Sequence, residues 1–86
     1  MSKSHHVEEQ IRWRSRRRGM LELDLLLGDF FDAAWHDLSD TEKDTFVRLL
    51  DETDADLWSW LSQNAIAEDE AFAAMVSRIL DRVQPD

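Results

Sequence analysis

Phe72-Ala73-Ala74-Met75-Val76-Ser77-Arg78-Ile79-Leu80-Asp81-Arg82-Val83 is the stretch that decides the fold class. Its apolar residues Phe72, Met75, Val76, Ile79, Leu80 and Val83 fall at i, i+3, i+4, i+7, i+8 and i+11, which keeps them on one face of an α-helix and matches no strand. The acids Glu68, Asp69 and Glu70 lead the stripe and Arg78 and Arg82 lie in its later turns, as the helix dipole favours. Pro85 stops it. The pattern predicts a helix over 69–83.

Working outward from this segment, the rest of the chain is also helical. Ser39 opens a Ser-x-x-Glu capping box with Glu42, and Phe46, Leu49 and Leu50 form a short apolar stripe, so a helix is expected from about 40 to 52. Thr53 or Asp54 can cap the next one, with Leu57, Trp60 and Leu61 facing inward and an end near Asn64. Residues 20–36 read as an apolar helix dominated by Leu23, Leu26, Leu27, Phe30, Phe31 and Ala34. Gly28 interrupts it at a cost of about 1 kcal/mol relative to Ala, which predicts a kink, a break or a close helix contact. An opening helix over 8–16 places Val7, Ile11 and Ser15 on one side and Arg12, Arg14 and Arg16 outward. With two glycines and one proline, the chain lacks the turn punctuation of a sheet protein. The expectation is an all-α, compact five-helix bundle in a single domain over 1–86. Residues 1–7 and 84–86 are tails, and 8–83 is the bundle.

Composition excludes several kinds of chemistry. The chain has 86 residues and no cysteine, so it admits one small core and no disulfide, thiolate nucleophile or Cys-ligated metal. No apolar run approaches the roughly 18 residues of a membrane span, and Leu25-Leu26-Leu27 is bracketed by Asp24 and Asp29. The N-terminus has no apolar targeting segment, and Glu8 and Glu9 argue against a transit helix, so a cytoplasmic location is expected. Charge is uneven. Residues 1–18 hold six basic and two acidic side chains, net +4, whereas 19–86 hold four basic and seventeen acidic, net −13. This reads as a basic arm on an acidic body that phosphate backbones and anionic membranes would repel, so nucleic acid is not an expected partner.

No catalytic set emerges. His5 and His6 are adjacent and do not converge on one ion, and His36 between Trp35 and Asp37 reads as a solvated or capping residue at a helix end. The acid pairs Asp51/Glu52 and Asp54/Asp56 read as surface carboxylates. Trp35, Trp58 and Trp60 occupy core-type positions, although the two-residue spacing of Trp58 and Trp60 puts one of them near the surface. Trp13 lies among arginines, where its ring can stack on a guanidinium. The densest candidate is Trp13-Arg14-Ser15-Arg16-Arg17-Arg18-Gly19-Met20-Leu21-Glu22-Leu23-Asp24. Its four arginines within five residues suit carboxylates, phosphates or carbonyls, Gly19 admits a close backbone, and Glu22, one turn on, is placed to hold the Arg18 guanidinium. The plainer reading of the same residues is an exposed basic stretch followed by an ordinary helix start.

Arg18-Gly19-Met20-Leu21-Glu22 resembles the Arg-Gly-x-x-Glu motif of the SdhE-type FAD assembly factors. Ile11-Arg12-Trp13, Phe30-Phe31, Leu38-Ser39-Asp40, Glu42-Lys43 and Asp54-x-Asp56-Leu57-x-x-Trp60-Leu61 follow that family's order, so the similarity runs from about residue 10 to residue 80. The resemblance implies a non-enzymatic five-helix protein that binds the flavoprotein subunit of succinate dehydrogenase, and in some bacteria that of fumarate reductase, while FAD becomes linked to a histidine of that partner. It also implies a docking face made of Arg17, Arg18, Gly19, Glu22 and Asp24. No cofactor is expected to bind this chain stably, and the free chain is expected to be a monomer. The alternative that composition leaves open is a protein-binding regulator or antitoxin-like helical protein.

Overall fold

Local hydrogen bonding explains where each helix starts and stops. The computed structural model describes residues 7–83; of the expected tails at 1–7 and 84–86, residues 1–6, with His5 and His6, and 84–86 lie outside them. The helices are α1 (Glu8–Arg16), α2 (Leu21–Ala34), α3 (Asp40–Leu50), α4 (Asp54–Leu61) and α5 (Glu70–Val83), with a 3-10 turn, Trp35–Asp37, between α2 and α3. There is no strand among the described residues, and the all-α five-helix architecture is as the sequence predicts.

The predicted capping box is present: Ser39 Oγ accepts from the Glu42 N–H at 3.1 Å, and the Ser39 N–H donates to Glu42 Oε1 at 2.8 Å. That second bond holds the Glu42 carboxyl below its ordinary pKa, with further help from the Arg78 guanidinium. Arg78 donates to Glu42 Oε2 at 2.8 Å, so one carboxylate both starts α3 and ties it to α5. Of the two caps considered for α4, Thr53 serves, accepting from the Asp56 N–H at 3.1 Å.

The helix expected over 20–36 instead runs Leu21–Ala34 and tightens into the 3-10 turn, where the Leu38 N–H returns to the Trp35 carbonyl. Three further boundaries differ from expectation, each for a local reason. Asp69 stands before α5 rather than inside it, because its Oδ1 accepts from the Ala71 and Phe72 N–H groups at 2.8 and 3.1 Å. Helix α3 ends at Leu50 because Asp51 and Glu52 donate to the carbonyls of Arg48 and Leu49, a tightening to i→i+3 bonds. Helix α4 ends at Leu61, where Gln63 takes φ +68° and the N–H groups of Gln63 and Asn64 return to the Trp60 and Ser59 carbonyls. This is a Schellman ending built on a glutamine, without the glycine that marks such ends in sequence.

The core lies where α2, α3 and α5 meet. Leu23, Leu27, Phe46, Leu49, Leu57 and Ile79 are wholly buried. Phe31 stacks on Trp35 at 5.0 Å between ring centroids, and Phe46 meets Trp35 edge-on at 6.1 Å. Trp58 and Trp60 are both half-buried rather than divided between inside and outside, since each indole reaches the core from a flank of α4. On α5 the buried stripe ends at Ile79, leaving Leu80 half-buried and Val83 exposed. Helix α1 packs mainly on α2. Ile11 and Ser15 are buried as expected, with Ser15 Oγ donating to the Ile11 carbonyl at 2.8 Å, but Val7 is exposed. Helix α2 runs unbroken through Gly28, so of the three expected outcomes the close contact is the one realised: a Cβ there would overlap the Arg16 side chain.

Candidate functional site

The four residues between α1 and α2 form a corner fixed from both sides. The Arg18 N–H donates to Asp24 Oδ1 at 2.8 Å, which anchors the turn to the first turn of α2. Gly19 follows with φ +97°, a conformation that L side chains rarely adopt, and a Cβ at this position would meet nothing within 4 Å. Glycine is thus required by the backbone, and the space above it is open.

The Arg18 side chain turns inward. Its Nε donates to Asp54 Oδ1 at 2.6 Å, Nη1 to the Leu50 carbonyl at 2.8 Å and Nη2 to the Glu52 carbonyl at 2.8 Å, leaving the side chain 13% exposed. This corrects the expectation that Glu22 holds the guanidinium: the α3–α4 connection does, because it offers two carbonyls that have left the α3 ladder and the carboxylate that opens α4. Glu22 is exposed, and its carboxylate makes no hydrogen bond or ion pair among the described residues.

The other arginines are also engaged, so the basic arm is folded onto the acidic body. Arg14 donates to Asp51 at 2.6 Å. Arg16 lies across Gly28 and donates to Asp32 at 2.6 Å and Asp29 at 3.0 Å. The Arg16 hydrogen bond to Asp32 raises the guanidinium pKa further and holds the Asp32 carboxyl below its ordinary range. Arg12 reaches Asp32 at 3.5 Å and covers the Phe31 ring at 5.2 Å. Arg14 and Arg16 are therefore half-buried rather than directed outward. Each such pair is half-exposed and contributes about 0–1 kcal/mol, so their shared effect is to orient α1 rather than to stabilise it strongly.

A distinct set faces solvent. Trp13 is 59% and Leu21 68% exposed, and Arg17 lies over the Trp13 ring at 5.6 Å. With Gly19 and Glu22 they present an aromatic ring, a cation, bare backbone and a carboxylate on one corner, beside a shallow cleft lined by Trp13, Arg14, Arg17, Arg18 and Asp54. Of the five predicted docking residues, Arg17, Gly19 and Glu22 are exposed, whereas Arg18 and Asp24 are half-buried and bonded within the chain. Sequence reasoning missed Asp54 and the Leu50 and Glu52 carbonyls as partners of Arg18. Asp54 reads in sequence as a candidate helix cap or a surface carboxylate, and carbonyls leave no sequence signal.

Other candidates are less organised. His36 is exposed and its Nε2 lies 2.9 Å from Glu8 Oε2. Asp51 and Asp54, one member of each acid pair, are held by Arg14 and Arg18. No group of three metal-ligating side chains, and no helix long and apolar enough to cross a membrane, occurs among the described residues. A second exposed apolar spot surrounds Ile66, at a groove lined by Trp60, Ala67, Val76 and Leu80.

The class defined here is a small all-α bundle with a polar corner locked from within and a mixed aromatic, cationic and acidic face turned out. A family model described as Sdh5, flavinator of succinate dehydrogenase, matches residues 9–83. FAD assembly factor SdhE of Pseudomonas syringae pv. syringae is 48% identical over 73 residues, covering 85% of this chain and 86% of the relative. That of Shewanella oneidensis is 41% identical over 76 residues, covering 88% and 92%. The chain belongs to the Sdh5 family, the family of these FAD assembly factors.

Proposed function

We propose that this chain binds the flavoprotein subunit of succinate dehydrogenase and promotes covalent attachment of FAD to a histidine of that subunit, acting as an assembly factor and not as an oxidoreductase. The observation that carries the reading is 48% identity over 85% of the chain to proteins named FAD assembly factors. The matched span includes Arg18-Gly19-Met20-Leu21-Glu22. The docking face is the corner formed by Arg17, Arg18, Gly19, Glu22 and Asp24. A rigid bundle that binds one arrangement of a larger partner more tightly than others shifts its population toward that arrangement and needs no bond chemistry of its own. The arrangement favoured is the one in which the partner's histidine can attack the flavin. FAD stays with the partner, the chain works in the cytoplasm as a monomer, and the flavoprotein subunit of fumarate reductase is a second client.

The test compares wild type with Gly19→Arg and Glu22→Ala, mixed with apo flavoprotein subunit and FAD and read by in-gel flavin fluorescence after denaturation. The expected result is loss of covalent flavin with helicity retained by circular dichroism. Normal flavinylation by both variants would contradict the docking face. Absence of any stimulation by the wild-type chain would contradict the function.

A further inference from the structure

We infer that Arg18 is a positioning residue: it locks the α1–α2 corner to the α3–α4 connection so that Trp13, Arg17, Gly19 and Glu22 meet a partner in one fixed arrangement, and it does not itself grip that partner. This rests on the docking face proposed above.

Three observations carry it. Each guanidinium nitrogen already has an acceptor within the chain, at 2.6, 2.8 and 2.8 Å. Three of its five N–H donors are thereby used, and with the side chain only 13% exposed the remainder of the fork offers a partner carboxylate little access. The acceptors are also well matched to a cation: Leu50 and Glu52 supply carbonyls at the negative end of α3, and Asp54 supplies a carboxylate. The bonds then pass directly to the exposed turn. The Arg18 N–H is held by Asp24, and the next residue is Gly19 at φ +97° with open space above it. The side-chain clamp fixes one side of Arg18 and the main-chain bond the other, so the orientation of the Gly19 peptide depends on Asp54, far along the chain.

The experiment is a double-mutant cycle on the full chain with Arg18→Ala, Asp54→Ala and the double variant, with Asp54→Asn as the milder substitution if Asp54→Ala does not fold. Affinity for the purified apo flavoprotein subunit of succinate dehydrogenase is measured by calorimetry at a temperature where circular dichroism shows every variant folded. The amide resonance of Gly19 in the free chain is followed by NMR. The clamp predicts that each single variant weakens binding by about tenfold or more, that the double variant is no weaker than the worse single one, and that Asp54→Ala shifts the Gly19 amide. Glu22→Ala weakens binding and leaves that amide in place. An Asp54→Ala protein that binds like wild type with an unmoved Gly19 amide, or singles whose effects add, would overturn the inference while leaving the docking face intact. A wild-type chain that fails to bind would overturn the docking face, and the Gly19 amide would still decide whether the clamp exists.

Discussion

At the centre of the bundle Phe46, Leu49, Leu57 and Ile79 are wholly buried and held by contacts that have no preferred direction. At the α1–α2 corner the same chain is held by a few directional bonds, from Arg18 to Asp54, Leu50 and Glu52 and from its own N–H to Asp24. The two regions therefore tolerate change differently. Apolar packing accepts substitutes of similar volume, because burial and fit are what it supplies. The corner accepts almost none, because lysine cannot reproduce a guanidinium fork and a side chain is strained at the φ of +97° that Gly19 holds. The difference indicates which region can carry recognition: a surface fixed by direction presents one shape, and a surface fixed only by volume does not.

The largest effect belongs to the centre. Phe46→Ala removes a ring that touches Phe30, Phe31 and Trp35 and should cost about 3–5 kcal/mol in urea denaturation, whereas Phe46→Leu should cost far less. Equal losses from the two would mean that the centre is as particular about shape as the corner. Arg18→Lys keeps the charge but not the fork, and should lower stability by about 1–3 kcal/mol; an unchanged denaturation midpoint would show that the bonds to Leu50 and Glu52 contribute nothing. Gly19→Ala should cost about 1–2 kcal/mol with no steric clash, purely through the backbone at φ +97°. A stability equal to wild type would mean the turn is not held in that conformation.

The smallest effect is acid dependence. Asp32 and Glu42 both have carboxyl pKa values below their ordinary range, through Arg16 and through the Ser39 N–H respectively. Groups shifted downward in the folded state add stability above their unfolded pKa, about 4, and lose it as pH falls through the lower folded value. Thermal melts should therefore fall below about pH 4. Asp32→Asn should flatten that limb slightly, because its half-exposed pair with Arg16 contributes about 0–1 kcal/mol and is screened by salt.

These same regions differ in how far the sequence reveals them. The buried stripes of α3 and α5 are legible from spacing, and the Ser39–Glu42 capping box from a four-residue pattern. The corner is legible only as a cluster of charges. Its motif residues can be pointed to, but Arg18 turns inward to two backbone carbonyls, and main-chain atoms carry no residue identity. The arginine run reads as an outward array because its acceptors, Asp29, Asp32, Asp51 and Asp54, are brought to it only by folding. The end of α4 is hidden for a related reason, since Gln63 stands where a glycine would announce the stop.

Hydrogen–deuterium exchange of the full chain, with and without the apo flavoprotein subunit of succinate dehydrogenase, tests the central claim most directly. Protection confined to the segment from Trp13 to Leu25 is the predicted result. Protection around Trp60, Ile66 and Leu80 with the α1–α2 corner unchanged would contradict it.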